Sequence, residues 1–450
     1  MPMTILHYTI GLPPKRRGGS VQYAYDLMQE QSRQGHKVIA LTCGDTLFRG
    51  TMTKIKLTGS AGLVDTYCLT NPLTPTLIYG VSDPDSQHRD VKLDEQNIRD
   101  FIKVNQISIL HLHTFMGMHS DVVRLFKEIG VKIVYTSHDF HGICPHYNLI
   151  NERGALCHLA NGTDCARCNH HEPSDLFLRL ASSNLYQRLK SKIKKKPIIN
   201  SVNQSELSID LTTNISRKRV SAFDRLLTYY RDYFSLIDTI HFNSSQTRDI
   251  FSHFLPGIEG KVIPVITQGI SDKRQPLSLH SPIIFCFIGS TNDYKGFHLL
   301  REVMTELNNE TNHNFKLLVY GNEFEGGDPA CKFIEFKGRY NYSELSDILY
   351  NIDCMIVPSK WYETFSLVTL ESLAHGRPVI VSDHVGAKDI VAKYESKFIF
   401  SNRDELKKLL LEILTDNSIL EDFNYTIMSH KWIYDLDNHS KKVLELYTES

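Results

Sequence analysis

Glu363 and Glu371 form a Glu-x7-Glu pair within the run V-P-S-K-W-Y-E-T-F-S-L-V-T-L-E-S-L-A-H-G-R-P-V, residues 357–379. A carboxylate accepts hydrogen bonds from hydroxyl groups, so two of them along one element suit a sugar at one end and a ribose at the other. The apolar run 354–357 predicts a buried parallel strand. Leu367, Leu370, Leu373 and Ala374 then recur at helical spacing until Gly376 and Pro378 stop them. The spacing therefore predicts a strand, a turn over 358–363 and a helix beginning near Thr364. Parallel α/β sheets bind their ligands at such turns, beyond the carboxyl ends of the strands. The backbone N–H groups of Thr364, Phe365 and Ser366 would face a ligand there, and the helix dipole would favour a negative charge on it. On a continuous helix the two glutamates would lie roughly 12 Å apart along the axis, room for a diphosphate between two sugars. The plainer reading is that Glu363 sits at a helix start for dipole reasons alone and that Glu371 lies on a solvated face.

The whole string from Pro358 to Ile380 resembles the Glu-x7-Glu signature of retaining GT-B glycosyltransferases of family four. That resemblance implies an α/β chain of GT-B type, two Rossmann-like domains facing a central cleft, acting on a nucleotide-sugar donor such as a UDP- or GDP-sugar. It implies that Glu363 positions the donor sugar and Glu371 the ribose. Lys295 matches the family's diphosphate-holding lysine, and Ser290 stands where an arginine is usual. Gly19, in the glycine pair after the first strand, and Gly321 match positions where backbone approaches the donor. His138 ends a strand where acceptor would meet donor, and the two readings of it are a substrate contact and a structural strand-end histidine. With Lys295 and Glu363 it completes the candidate catalytic set. The family's chemistry needs no metal cofactor, and the sequence offers no convincing nucleophile. A front-face reaction, in which the leaving phosphate takes the acceptor proton, suits that absence.

The elements that must position these residues read as two successive α/β series. The first has strands over 4–10, 37–42, 107–113, 132–137, 239–243 and 261–266, with helices over 21–33, 119–129 and 245–254. Gly18-Gly19 is a turn that Ser20 would cap. Asp83-Pro84-Asp85 has the form of a metal-binding Asp-x-Asp, but its proline reads as an ordinary turn. The second series begins at 283–288, continues through a helix over 297–308 and strands over 315–320 and 333–336, and reaches the central stretch after a helix over 343–350. Expected boundaries are an acceptor-side domain over 1–270 with an insertion at about 140–224, a donor domain over 271–430, and a last helix over 431–450 that crosses back.

Within the insertion, Cys144, Cys157, Cys165 and Cys168 fall close together and end in C-x2-C. Four such thiols have the ligand count for one tetrahedral structural zinc, with disulfides and four unrelated buried thiols as the rival readings. From Leu176 to Lys196 there are seven basic residues and no acidic one, with Leu185, Leu189 and Ile193 on one helical face. The segment reads either as a helix on an anionic membrane surface or as a solvated basic segment. The former pairs with a glycan or lipid-linked acceptor. The stretch 212–218 reads as connecting loop. At 450 residues with a formal net charge of −1, the chain expects two or three domains and gives no global attraction to nucleic acid. No apolar run approaches a membrane span, and the polar N-terminus is not a signal peptide, so a cytoplasmic protein with reduced cysteines is expected.

Overall fold

The computed structural model of the chain describes residues 2–47, 50, 52–183, 186, 215–310, 314–321, 324–328 and 330–449. The chain forms two units. Met1–Asn243, Thr247–Ile263 and Leu436–Ser450 make the first, and Ser244–Gln246 with Pro264–Asp435 the second.

The first unit is built on strands β1 (Thr4–Thr9), β2 (Lys37–Cys43), β3 (Ile55–Ala61), β4 (Val64–Leu69), β5 (Ile109–Leu112), β6 (Lys132–Thr136), β7 (Thr239–Phe242) and β8 (Gly260–Val262). They lie in the order β3-β4-β2-β1-β5-β6-β7-β8 and are parallel except for the β3–β4 hairpin at one edge. Strands covered by helices on both faces must be apolar throughout, and Ile5, Leu6, Leu110 and Ile133 are fully buried. Each such side chain contributes about 1.5–3 kcal/mol of transfer free energy. One layer of this core is polar: His7 and His111 are register partners on β1 and β5, as are Thr136 and His241 on β6 and β7. The helices Gly19–Arg33 and Leu436–Thr448 add Tyr23, Gln31, His439 and Tyr447 to that layer.

The first helix departs from the sequence expectation. It begins at Gly19 behind Gly18 (φ 143), with no side-chain cap, so Ser20 lies in the first turn and does not cap it. Pro84–Gln87 is a 3-10 turn, and the Asp85 carboxylate accepts from Arg225 at 2.8 Å, which engages it in an ion pair. In the insertion, helices span Gly162–Cys168 and Asp175–Ser182, and a longer one spans Arg217–Phe234. The expected connection over 212–218 therefore gives way at Arg217, where Ser216 Oγ accepts from Arg219 N–H at 3.3 Å and caps the helix. Of the basic segment, Arg179 donates to the carbonyls of Thr46 and Leu47 at 3.0 Å. Arg188, Lys190, Lys192, Lys194, Lys195 and Lys196, with Leu185, Leu189 and Ile193, lie outside the described residues. Among the described residues no helix is long and apolar enough to cross a membrane.

The second unit carries β9 (Ile283–Ile288), β10 (Phe315–Tyr320), β11 (Glu325–Gly327), β12 (Ile334–Gly338), β13 (Cys354–Val357), β14 (Val379–Ser382) and β15 (Ile399–Phe400), ordered β11-β12-β10-β9-β13-β14-β15. All its pairings are parallel except β11 with β12. The central strands β13 and β14 are buried at every position. The turns after β9, β10 and β13 leave the sheet on one side and carry Ser290, Gly321 and Glu363.

Candidate functional site

At the turn after β13 the chain does not enter a helix at Thr364. Glu363 N–H donates to His384 O at 2.9 Å, Gly386 N–H to Glu363 O at 2.9 Å, and Ala387 N–H to Phe365 O at 2.7 Å. These bonds hold residues 363–365 extended against the loop after β14, and Ser366 turns the chain at φ 95. Helical geometry first appears at Leu367 and runs to Ala374. The amides presented by the helix start are therefore those of Leu367, Val368 and Thr369. The expected set of Thr364, Phe365 and Ser366 lies just ahead of them. Phe365 buries its ring in the core, and the axial distance based on a continuous helix does not apply.

What the turn does achieve is a cluster around one carboxylate oxygen. Lys295 Nζ lies 2.8 Å from Glu363 Oε1, Ser359 Oγ donates to the same oxygen, and Trp361 Nε1 reaches it at 3.5 Å. The Lys295 ammonium also lies 5.0 Å from the centre of the Trp361 ring, a cation–π distance. Burial alone would push the Glu363 carboxyl up, but Lys295, Ser359 and Trp361 together bring it below the ordinary carboxylate range. Glu363 is therefore an anion at neutral pH, and its charge is what Lys295 faces in this structure. Lys295 is held in place by Gly296, which adopts φ 75. A Cβ there would stand 1.7 Å from the carbonyl oxygen of Pro358. Only glycine lets the lysine turn and the β13 turn approach this closely.

Glu371, one turn into the helix, is buried and accepts from Tyr342 Oη at 2.9 Å. Burial raises its carboxyl to about 7, against the opposing pull of that phenol and of Lys273. The two glutamates thus carry different charge states near neutral pH. Gly321 (φ 94) packs against Gly289, whose N and O would lie 3.1 and 3.2 Å from a Cβ. Ser290 Oγ accepts from Asn292 N–H at 3.4 Å and closes its own turn. Sequence reasoning missed Ser359, Trp361 and Tyr342. Ser359 and Trp361 lie inside the string from Pro358 to Ile380 without having been assigned a role, Tyr342 lies outside it, and only the folded geometry brings the three to the glutamates.

In the first unit, His138 lies two residues beyond the end of β6 and joins a directional hydrogen-bond chain whose direction is set by one carbonyl. Ile263 O can only accept, so His241 Nε2 donates to it at 2.6 Å and His241 Nδ1 is the acceptor. Thr136 Oγ1 therefore donates to His241 Nδ1 at 3.1 Å and accepts from His111 Nε2 at 2.6 Å. Tyr447 Oη donates to His111 Nδ1 at 2.6 Å and accepts from Gln31 Nε2 at 3.1 Å. Gln31 Oε1 then accepts from His7 Nε2 at 2.8 Å, and His7 Nδ1 from His113 Nε2 at 3.0 Å. His113 Nδ1 accepts from His138 Nε2 at 3.2 Å. Burial keeps these imidazoles neutral: it lowers His7 and His241 to about 4, His138 to about 3, and His111 and His113 well below the ordinary range. Each ring thus has one defined tautomer, and the proton-free nitrogen of His138 is Nδ1. Gly19, also in this unit, contributes the first amide of its helix. Cys144, Cys157, Cys165 and Cys168 all line one cavity and carry free thiols.

Comparison with solved structures identifies the architecture. The UDP-forming α,α-trehalose-phosphate synthase of Burkholderia xenovorans, solved with glucose-6-phosphate, superposes with a TM-score of 0.56 at 9% identity, over 99% of this chain and 100% of that one. The fold is GT-B. The Anabaena Alr3699/HepE structure with UDP and glucose gives a TM-score of 0.53 at 13% identity, over 98% of both chains. Within the GT-B chain, residues 270–429 match the family described as "Glycosyl transferases group 1", and all of Ser290, Lys295, Gly321, Glu363 and Glu371 fall inside the match. The protein CapJ of Staphylococcus aureus is 30% identical over 167 residues, which are 34% of this chain and 39% of CapJ. The alignment thus spans about two fifths of that relative's length.

Proposed function

We propose that this GT-B chain is a retaining, metal-independent glycosyltransferase that moves a sugar from a UDP- or GDP-sugar to a glycan or lipid-linked acceptor in glycoconjugate synthesis. The observation that carries the reading is the Lys295–Glu363 pair, set at the turn after β13 inside the glycosyl transferases group 1 match. The trehalose-phosphate synthase forms UDP, and the HepE structure holds UDP and glucose, which supports the nucleotide-sugar class of donor.

In this reaction the bond from the anomeric carbon to the diphosphate oxygen breaks and the diphosphate leaves with the electron pair. The acceptor hydroxyl bonds to the same face of the sugar, and its proton passes to the departing phosphate oxygen. Lys295 swings part of its charge from Glu363 to the leaving diphosphate, where charge grows most. Glu363 accepts from the sugar hydroxyls and Glu371 from the ribose hydroxyls, while the amides of Leu367 and Val368 add to the phosphate site. An acceptor on an anionic membrane surface fits the helix Asp175–Ser182, which exposes Leu176, Phe177 and Leu180 at the start of the basic segment.

The test is turnover of UDP- and GDP-sugars by the whole chain, with NMR assignment of the released sugar's anomer. Consumption of one donor with retention supports the proposal, and inversion overturns the mechanism. Ser290 in the arginine position favours one other reading, a nucleotide-sugar-binding subunit that assists a partner enzyme. That reading predicts thermal stabilisation by the donor without its turnover.

A further inference from the structure

We propose that Cys144, Cys157, Cys165 and Cys168 are the four ligands of one structural zinc ion. The four side chains come from two pieces of the insertion and meet at one cavity of about 340 Å³. Cys144 and Cys157 flank a small hairpin, closed by the Ile150–Leu156 bridge and by Cys157 N–H donating to Leu149 O at 2.7 Å. Cys165 and Cys168 share one face of the helix Gly162–Cys168, three positions apart. Such a hairpin-plus-helix arrangement with two thiols from each piece supplies the count and convergence of a tetrahedral four-thiolate site.

The loop that carries Cys144 is the second observation. Tyr147 and Leu149, neither a glycine, sit at φ 56 and 55 there, and Tyr147 N–H donates to Cys144 O at 3.0 Å, so strained backbone fixes the direction of this thiol. Nearby His146 is engaged elsewhere, 3.1 Å from Glu172 Oε1, which leaves the four sulfurs as the ligand set proposed here.

A rival cluster exists in the same unit. The ligand atoms of His7, His111 and His113 already lie within 4.8 Å of one another. Every one of those nitrogens is spent in the hydrogen-bond chain that ends at His138, so that trio is a proton-ordered stack. The sulfurs do not reach such mutual closeness in this structure. Cys168 Sγ donates to Glu152 Oε2 at 3.5 Å and Cys157 Sγ to Leu159 O at 3.4 Å. Zinc replaces both bonds, because four thiols lose four protons to become thiolates at about 2.3 Å from the ion. The ion ties the hairpin to the helix, and Asp224 holds that helix in turn by accepting from Gly162 N–H at 2.9 Å. It also fixes the loop leaving His138, since Cys144 N–H donates to Phe140 O at 2.9 Å and Phe140 N–H to Tyr147 O at 3.1 Å.

The experiment is elemental analysis for zinc and iron of the full chain, purified under reducing conditions without chelator. About one zinc per chain is expected. An organomercurial that caps thiols should release it from the wild-type protein, a measurement that needs no variant to fold. Cobalt added to the demetallated chain should give thiolate charge-transfer bands. Cys165→Ser should lose most of the metal, while Cys68→Ser, on β4, should keep all of it. Iron in place of zinc, absence of both metals, or cysteines found paired by mass analysis would each overturn the proposal.

Discussion

Glu363 and Glu371 are both shielded from water, yet their surroundings push them in opposite directions. Lys295, Ser359 and Trp361 hold Glu363 as an anion, while burial with a single phenol partner brings Glu371 to about 7. A carboxylate that must accept two ribose hydroxyls loses that capacity when protonated. The donor KM should therefore rise as pH falls through about 7, and Glu371→Gln should flatten that rise. A donor KM independent of pH from 6 to 8 in the wild type would remove Glu371 from the ribose site. Gly296→Ala is the sharpest steric test. With a Cβ 1.7 Å from Pro358 O, the lysine turn must move, and kcat should fall at least as far as in Lys295→Ala while the fold persists. The two glutamates and Lys295 were legible because each stands in a fixed spacing. Tyr342, Ser359 and Trp361 were not, since their role depends on which side chains a turn brings together.

At the scale of elements, the polar layer of the first unit makes a pH prediction whose sign is fixed. His7, His138 and His241 have folded values of about 4, 3 and 4, below the ordinary 6.5 of the unfolded chain. Below 6.5 the unfolded state binds protons that the folded state refuses. Stability is thus fully present above that value and is lost as pH falls toward about 4, by up to ~1.4 kcal/mol per pH unit for each group. Urea midpoints of the first unit measured from pH 7.5 to 4.5 should fall steeply below 6.5, and a flat profile would contradict buried neutral imidazoles. Thr136→Val breaks the chain between His111 and His241 and should cost about 1–3 kcal/mol through the unpaired groups it leaves. Strands and helices were legible here from apolar runs and spacing. The imidazole chain was not, because its members come from β1, β5, β6, β7 and two helices, and only the parallel register sets them side by side. The start of the helix after Glu363 was misread for a related reason. Leu367 to Ala374 carry the helical period, but the loop after β14 captures residues 363–365 as extended backbone.

For the whole molecule, two α/β series were legible in the apolar runs and the glycine turns after the strands, while the GT-B architecture was implied by the resemblance of the string from Pro358 to Ile380. The edge hairpin β3–β4 and the helices after β14 carry no chemistry-bearing motif, and their weak signals were passed over. The central claim is that one unit presents Lys295 and Glu363 together to the diphosphate and sugar of a donor. Steady-state kinetics of the full chain on its true donor, comparing wild type with Lys295→Ala and Glu363→Ala, tests this most directly. Lys295→Ala should lower kcat by roughly 10²–10³, as removal of a transition-state charge stabiliser does. Glu363→Ala should lower it by roughly tenfold to a hundredfold, the worth of hydrogen bonds to a charged group. Wild-type kcat and donor KM in both variants would contradict the claim.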